Sequence, residues 1–179
     1  MRQLFQLGLL LSVLAIPIYK WVHPVLIPQN RIPLDVAAMD REWDRAQEQA
    51  KVERDAKAAN EVFTRFGCGW EDLSLLTARY SRAKKLPVRV VAATVAVESS
   101  CRPDAISPKG AIGLLQINEK VWKTGEDLTD PETNMKWGTQ ILSDYVRQYG
   151  LVEGLHRYNG MGNPTDEYST KVLQISARR

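Results

Sequence analysis

The sequence predicts a mainly α-helical fold, and three features lead to that expectation. Val36, Met39, Trp43, Ala46 and Ala50 recur at three- and four-residue intervals. Asp130-Pro131-Glu132 sets a capping side chain, a first-turn proline and a first-turn acid ahead of a second periodic run. Between them, Pro87 to Glu98 is an apolar stretch longer than most strands, opened by a proline. A chain of 179 residues can hold one domain with a substantial core and an appendage. The expected organisation is an N-terminal hydrophobic segment over 1–22, a connector and amphipathic spacer helix over 23–66, and a compact helical domain over 67–179.

Leu4 to Tyr19 is apolar except for Gln6 and Ser12, with Arg2 ahead of it and Lys20 and Trp21 behind. This is short for a membrane span, but Lys20 can snorkel and Tyr19 and Trp21 can sit at an interface. An uncleaved membrane anchor through residues 4–19 is the preferred reading. A cleaved signal peptide and a buried core helix are the alternatives. Either of the first two exports the rest of the chain. Residues 23–34 carry three prolines and read as an extended connector.

Asp35 to Phe66 reads as a helix, with Glu48–Lys51 and Glu53–Lys57 as surface pairs. Its stripe is mostly alanine after Trp43, so a solvated spacer is expected, with Phe63 and Phe66 packing onto the compact domain. Gly67-Cys68-Gly69 breaks it. Beyond lie a helix near Glu71–Lys84, another from Pro87, a loop over Cys101–Gly110 and a short apolar helix over 111–122. The helix that starts at Asp130 places Gly138, Ile141, Leu142, Tyr145, Val146 and Tyr149 on one face and stops at Gly150. The run PVRVVAATVAVE is β-branched, and propensity alone favours a strand. Its length and its helical neighbours favour a helix, on which Val91, Val95 and Glu98 share a face.

Glu98 ends that apolar run and meets a polar loop containing proline and glycine. Such a position raises a carboxyl pKa, as general-acid chemistry on glycosidic bonds requires. Taken alone, a helix-end glutamate is more often a salt-bridge partner. Composition excludes other classes. The net charge is +3 and no basic cluster interleaves with aromatics, which argues against nucleic acid as a partner. His23 and His156 are isolated, so no metal site is expected. Ser99 and Ser100 lack the setting of a serine nucleophile. Cys68 and Cys101 fit one bridge outside the cytoplasm, and two buried thiols fit the composition equally well.

The run Glu98-Ser99, Ala105-x-Ser107-x-x-Gly110-Ala111-x-Gly113-Leu114-x-Gln116-Ile117 resembles the signature of the soluble lytic transglycosylase family, relatives of goose-type lysozyme. Asn134 and Gly138, then Tyr158-Asn159-Gly160, then Tyr168-x-x-Lys171-Val172 come after it in the same order, so the resemblance spans about residues 68–175. It implies a lysozyme-like α+β fold, no cofactor, and peptidoglycan glycan strands as the partner. Glu98 would be the only catalytic acid and base, closing a 1,6-anhydro ring on muramic acid without a second carboxylate. Ser107 and Gln116 would line sugar subsites, Tyr158 and Tyr168 would bond or pack around Glu98, and Asn159 would hold the Tyr158 loop. An aromatic residue is usual where Cys101 stands, and a Cys101–Cys68 bridge would replace its packing. Leu115 stands where methionine is common, and Arg157 where a small residue is usual.

The resemblance implies action on the periplasmic side of the inner membrane. Local wall opening for a secretion, conjugation or pilus machine fits the modest size, and a bacteriophage enzyme, carried in the virion, fits equally. A lysozyme-type hydrolase is the alternative, with Asp104, Asp127, Asp130 or Asp144 as the second carboxylate. An idle peptidoglycan-binding scaffold and a membrane-disrupting protein are further rivals.

Overall fold

The computed structural model describes residues 35–160 and 166–178. The apolar segment 4–19 and the proline-rich connector 23–34 lie outside them. Among the described residues no helix is long and apolar enough to cross a membrane. Residues Met1–Met39 and Asp40–Arg179 cluster as two units. Of the first only 35–39 are described, where the Asp35 carboxylate accepts the Ala38 N–H at 2.9 Å.

Helix α1 (Val36–Thr64) begins exposed and ends buried. The reason is a change of stripe. The face carrying Trp43, which is 67% exposed, gives way to one carrying Ala59, Val62 and Phe63, which enter the core. Arg82 fastens the middle of the helix by reaching Glu48 at 2.7 Å and Asp55 at 2.9 Å, and Arg89 reaches Glu61 at 2.7 Å. The expected solvated spacer therefore describes only the first part of α1. Phe63 packs as expected, but Phe66 is 41% exposed, because it lies past the last helical residue in the turn that Gly67 completes at φ 67°.

Helix α2 (Glu71–Ala83) leads into α3 (Val88–Ser99), around which the core is built. Val90 to Ala96 are all buried, as in a helix that is apolar all round. This is why its β-branched residues do not make it a strand: burial on every side outweighs local propensity. Thr94 and Ser99 return their hydroxyls to the carbonyls of Val90 and Val95, at 2.9 and 3.1 Å, so no polar group is stranded there. Helices α2 and α7 (Glu167–Ala177) flank α3, and α7 contributes Tyr168, Val172 and Ile175.

Residues 111–122 depart from the expected apolar helix. They form two short antiparallel strands, β1 (Ala111–Ile112) and β2 (Ile117–Asn118), followed by the single-turn α4 (Glu119–Trp122). A helix is barred because Gly113 and Gln116 adopt φ values of 78° and 47°. Position 113 also has no room for a side chain. A Cβ there would stand 2.1 Å from Asn134 Nδ2 and 2.5 Å from the Leu128 carbonyl oxygen.

Helix α5 (Pro131–Tyr149) starts as expected, with Asp130 accepting the Thr133 N–H at 2.8 Å, and it ends at Gly150. Helix α6 (Leu151–Tyr158) begins at once and packs back on α5. Gly154 permits this, since a Cβ on it would lie 2.8 Å from the Val146 Cα. Gly138 does the same for the hairpin, which brings Leu115 against α5.

A disulfide joins Cys68 to Cys101 across 33 residues, with the Cα atoms 5.7 Å apart. It clamps the left-handed pair Ser100 and Cys101, at φ 51° and 62°, which ends α3 just after Glu98. The Trp70 indole N–H donates to the Cys101 carbonyl at 3.2 Å and holds the same turn. Closing a loop of this length stabilises the fold by about 3–4 kcal/mol on the chain-entropy model. Replacing both cysteines by alanine should lower the unfolding free energy by about 3 kcal/mol in urea titration.

Candidate active site

Glu98 occupies the last position but one of α3, where the buried helix meets an open cleft. The cleft has a volume of about 460 Å³. The 101–110 loop and hairpin supply Ser107, Gln116 and Asn118; α4 supplies Val121 and Trp122; α5 and α6 supply Ile141, Tyr145 and Tyr158. Among the described residues, Glu98 is the one carboxylate lining it.

Burial drives the Glu98 pKa above the usual carboxylate value, and a hydrogen bond from Tyr168 acts against that rise. The Tyr168 hydroxyl donates to Glu98 Oε1 at 2.5 Å. Tyr168 and Tyr158 are themselves pushed well above the ordinary phenol value, by burial first and then by the charge of Glu98. Both phenols therefore stay protonated and act as donors. The Tyr158 hydroxyl donates a hydrogen bond to the Leu115 carbonyl at 2.7 Å, tying the end of α6 to the hairpin instead of to Glu98.

The other expected residues converge on the same place. Ser107 lines the cleft and accepts the Ala111 N–H at 3.0 Å, so it also braces the loop against β1. Gln116 lines the cleft while its Nε2 donates to the carbonyls of Ala105 and Gly113, at 3.1 and 2.9 Å. Two bonds through one nitrogen fix the amide plane and leave its oxygen side for a ligand. Asn159 caps α6 through its backbone N–H and lies at the cleft rim. Tyr168 sits behind Glu98 and is absent from the lining.

The hydrolase candidates lie elsewhere. Asp127 bonds Thr129, Asp130 caps α5, Asp144 bonds Gln140, and neither these nor the exposed Asp104 lines the cleft. No group of three or more potential metal ligands occurs among the described residues.

Asn134 is the residue whose importance the sequence understated. It is fully buried and makes three bonds: Leu115 N–H to its Oδ1 at 2.8 Å, and its Nδ2 to the carbonyls of Ile112 and Leu128 at 2.9 and 2.8 Å. It thereby holds on α5 the hairpin that carries Gln116. An asparagine inside an apolar helix face was the signal. Trp122 and Tyr145 were also missed as cleft residues, since Trp122 fell within the expected apolar helix over 111–122 and Tyr145 read as part of the apolar face of α5.

A helical fold with a paired hairpin and one partly buried carboxylate at the head of an open cleft defines the lysozyme-like fold class. A profile of the transglycosylase SLT domain matches residues 76–172, more than half of the chain. The chain belongs to that family. It is 32% identical over 114 residues to a transglycosylase of Enterobacteria phage PRD1, covering 59% of this chain and 42% of the relative. It is 29% identical over 125 residues to the soluble lytic murein transglycosylase of Escherichia coli (strain K12), covering 63% of this chain and 19% of the relative. With an endo-type membrane-bound lytic murein transglycosylase A of Enterobacter sp. (strain 638) the identity is 27% over 93 residues, 45% of either chain. The matches thus span less than half the length of each of these relatives.

Tyr168→Phe removes the bond that favours the charged carboxylate, so the Glu98 midpoint should rise further in a carboxyl-carbon NMR titration. An unmoved or lowered midpoint would contradict this geometry. Stability gives a second handle. A carboxyl whose folded pKa is raised contributes stability that is complete below its unfolded pKa and lost as pH rises through the folded value. Glu98→Gln should therefore melt above the parent at high pH, and the two should converge below about pH 4.

Proposed function

We propose that the protein is a peptidoglycan lytic transglycosylase acting on the β-1,4 bond between N-acetylmuramic acid and N-acetylglucosamine. The observation that carries this reading is Glu98, the one cleft carboxylate among the described residues, its pKa raised by burial and its carboxylate oriented by Tyr168. A two-carboxylate glycosidase needs a partner roughly 5–10 Å away across the cleft. With a single carboxylate, the same group serves first as acid and then as base. Glu98 donates its proton to the glycosidic oxygen as the C1–O bond breaks and positive charge builds at C1. The resulting carboxylate removes the proton of the muramic acid 6-hydroxyl, whose oxygen closes on C1 to give the 1,6-anhydro ring. No water is consumed.

In this reading Ser107, Gln116 and Asn159 bind the sugars, Tyr158 holds the cleft wall and Tyr168 orients Glu98. The names of the two murein transglycosylase relatives support peptidoglycan as substrate, and the membrane-bound one supports work at a membrane facing the wall. Residues 4–19 would anchor or export the chain to the periplasmic side of the inner membrane, and residues 23–34 with the exposed first part of α1 would give the folded domain its reach, since the second part of α1 is packed into that domain. The phage relative supports local wall opening by a phage, with a secretion or conjugation machine as the other setting.

Mass spectrometry of digested sacculi tests the reading. Anhydro-muropeptides are expected, and products with reducing ends would overturn it in favour of hydrolysis. Glu98→Gln should slow release by roughly 10²–10⁴-fold, the usual contribution of a general acid–base group.

A further inference from the structure

Trp122 has no structural task that accounts for its size. It is 40% exposed, belongs to neither core cluster, and lines the cleft. Its indole N–H also differs from those of Trp70 and Trp137, which donate to the Cys101 carbonyl at 3.2 Å and to Glu126 Oε1 at 3.1 Å. Among the described residues no group accepts the Trp122 N–H. An indole left this way in a mobile loop would mean little, but its setting is fixed. Asn118 caps α4 by accepting the Lys120 N–H at 3.0 Å. The Glu119 carboxylate pins the segment after Trp122 through Thr124 Oγ1 at 2.6 Å and the Gly125 N–H at 2.9 Å.

Tyr145 completes the arrangement. Its ring meets Trp122 edge to face, with centroids 6.3 Å apart and planes at 80°, and it too lines the cleft. Behind it stands Tyr149, centroid to centroid 6.4 Å, over whose ring the Arg157 guanidinium lies at 4.0 Å. That guanidinium is held in turn by Glu153 at 2.7 Å. Tyr149 is therefore a brace, and the surface left for a ligand is that of Trp122 and Tyr145.

Aromatic surface beside polar side chains suits a sugar, which presents an apolar face of C–H bonds and a rim of hydroxyls. The neighbouring cleft groups, Asn118, Gln116 and Ser107, are amide and hydroxyl, matched to acetamido and hydroxyl partners. We infer that Trp122, braced by Tyr145, is a stacking platform that binds an additional sugar unit of the glycan strand beyond the pair flanking the scissile bond. This rests on the reading of the cleft as a glycan site. Pre-positioning of the ring by its loop and by Tyr145 lets stacking proceed with little loss of side-chain freedom.

The test is a binding titration on the full chain carrying Glu98→Gln, with β-1,4-linked N-acetylglucosamine oligomers of three and six sugars as probes. The six-sugar probe should bind more tightly than the three-sugar one. Adding Trp122→Ala should weaken the six-sugar probe about tenfold, equivalent to about 1.4 kcal/mol, and leave the shorter probe much less affected. Trp122→Phe should retain most of the preference and shows that the effect tracks the aromatic face. Equal affinity of the Trp122→Ala protein for the long probe would overturn the inference while leaving the transglycosylase reading to its anhydro products. Absence of binding by either probe would defeat the glycan cleft itself, and the inference with it.

Discussion

Everything at the site depends on the burial of one carboxylate at the end of α3. A helix that is apolar on all sides withdraws water from its own terminus, and Glu98 stands where that withdrawal meets the cleft. Desolvation disfavours the anion, and the negative end of the helix dipole acts in the same direction. Tyr168 opposes both with a single short hydrogen bond. Burial and the Tyr168 bond thus pull the Glu98 pKa in opposite directions, and burial is the larger influence. The same burial means that ionised Glu98 works against folding, a tension common where a site is built for chemistry.

Such a group is useful only if its surroundings do not move, and four covalent or polar links provide that rigidity. The Cys68–Cys101 disulfide and the Trp70 indole fix the left-handed turn directly after α3. Asn134 fixes the opposite wall by answering three backbone groups of the hairpin and its neighbouring loop. Tyr158 then ties α6 to that same hairpin through Leu115. Each link joins segments far apart in the chain, and together they hold Glu98, Gln116 and Tyr158 around one cavity. Gly113 and Gly138 are the steric counterpart, since both stand where any side chain would push the hairpin off α5.

The helical content was legible in the sequence wherever local signals agreed. Asp130 and Pro131 start α5 as their chemistry dictates, and Gly150 ends it. Length and neighbours identified α3 correctly against its β-branched composition. The hairpin at 111–118 was not legible, because Ala111, Ile112, Leu114, Leu115 and Ile117 form an apolar run without a clear period. What makes it a hairpin is partly the positive φ at Gly113 and Gln116 and partly hydrogen bonds from Asn134, which no local pattern contains. The second half of α1 was misjudged for a related reason: its core stripe of Ala59, Val62 and Phe63 is out of phase with the one that starts at Val36.

For the site, the sequence by itself determined which residue types are present and in what order, and that order was enough to single out Glu98, Ser107, Gln116, Tyr158 and Tyr168 together. Order along a chain carries family likeness, because spacing within α3, the loop and α5 is a local property. Tertiary structure alone decided the partners: that Tyr168 bonds Glu98 whereas Tyr158 bonds Leu115, that the four aspartates stay out of the cleft, and that Trp122 faces into it. The physical reason is that desolvation, directional hydrogen bonds and close packing act between segments tens of residues apart. Their strength depends on distances that exist only once the chain has folded.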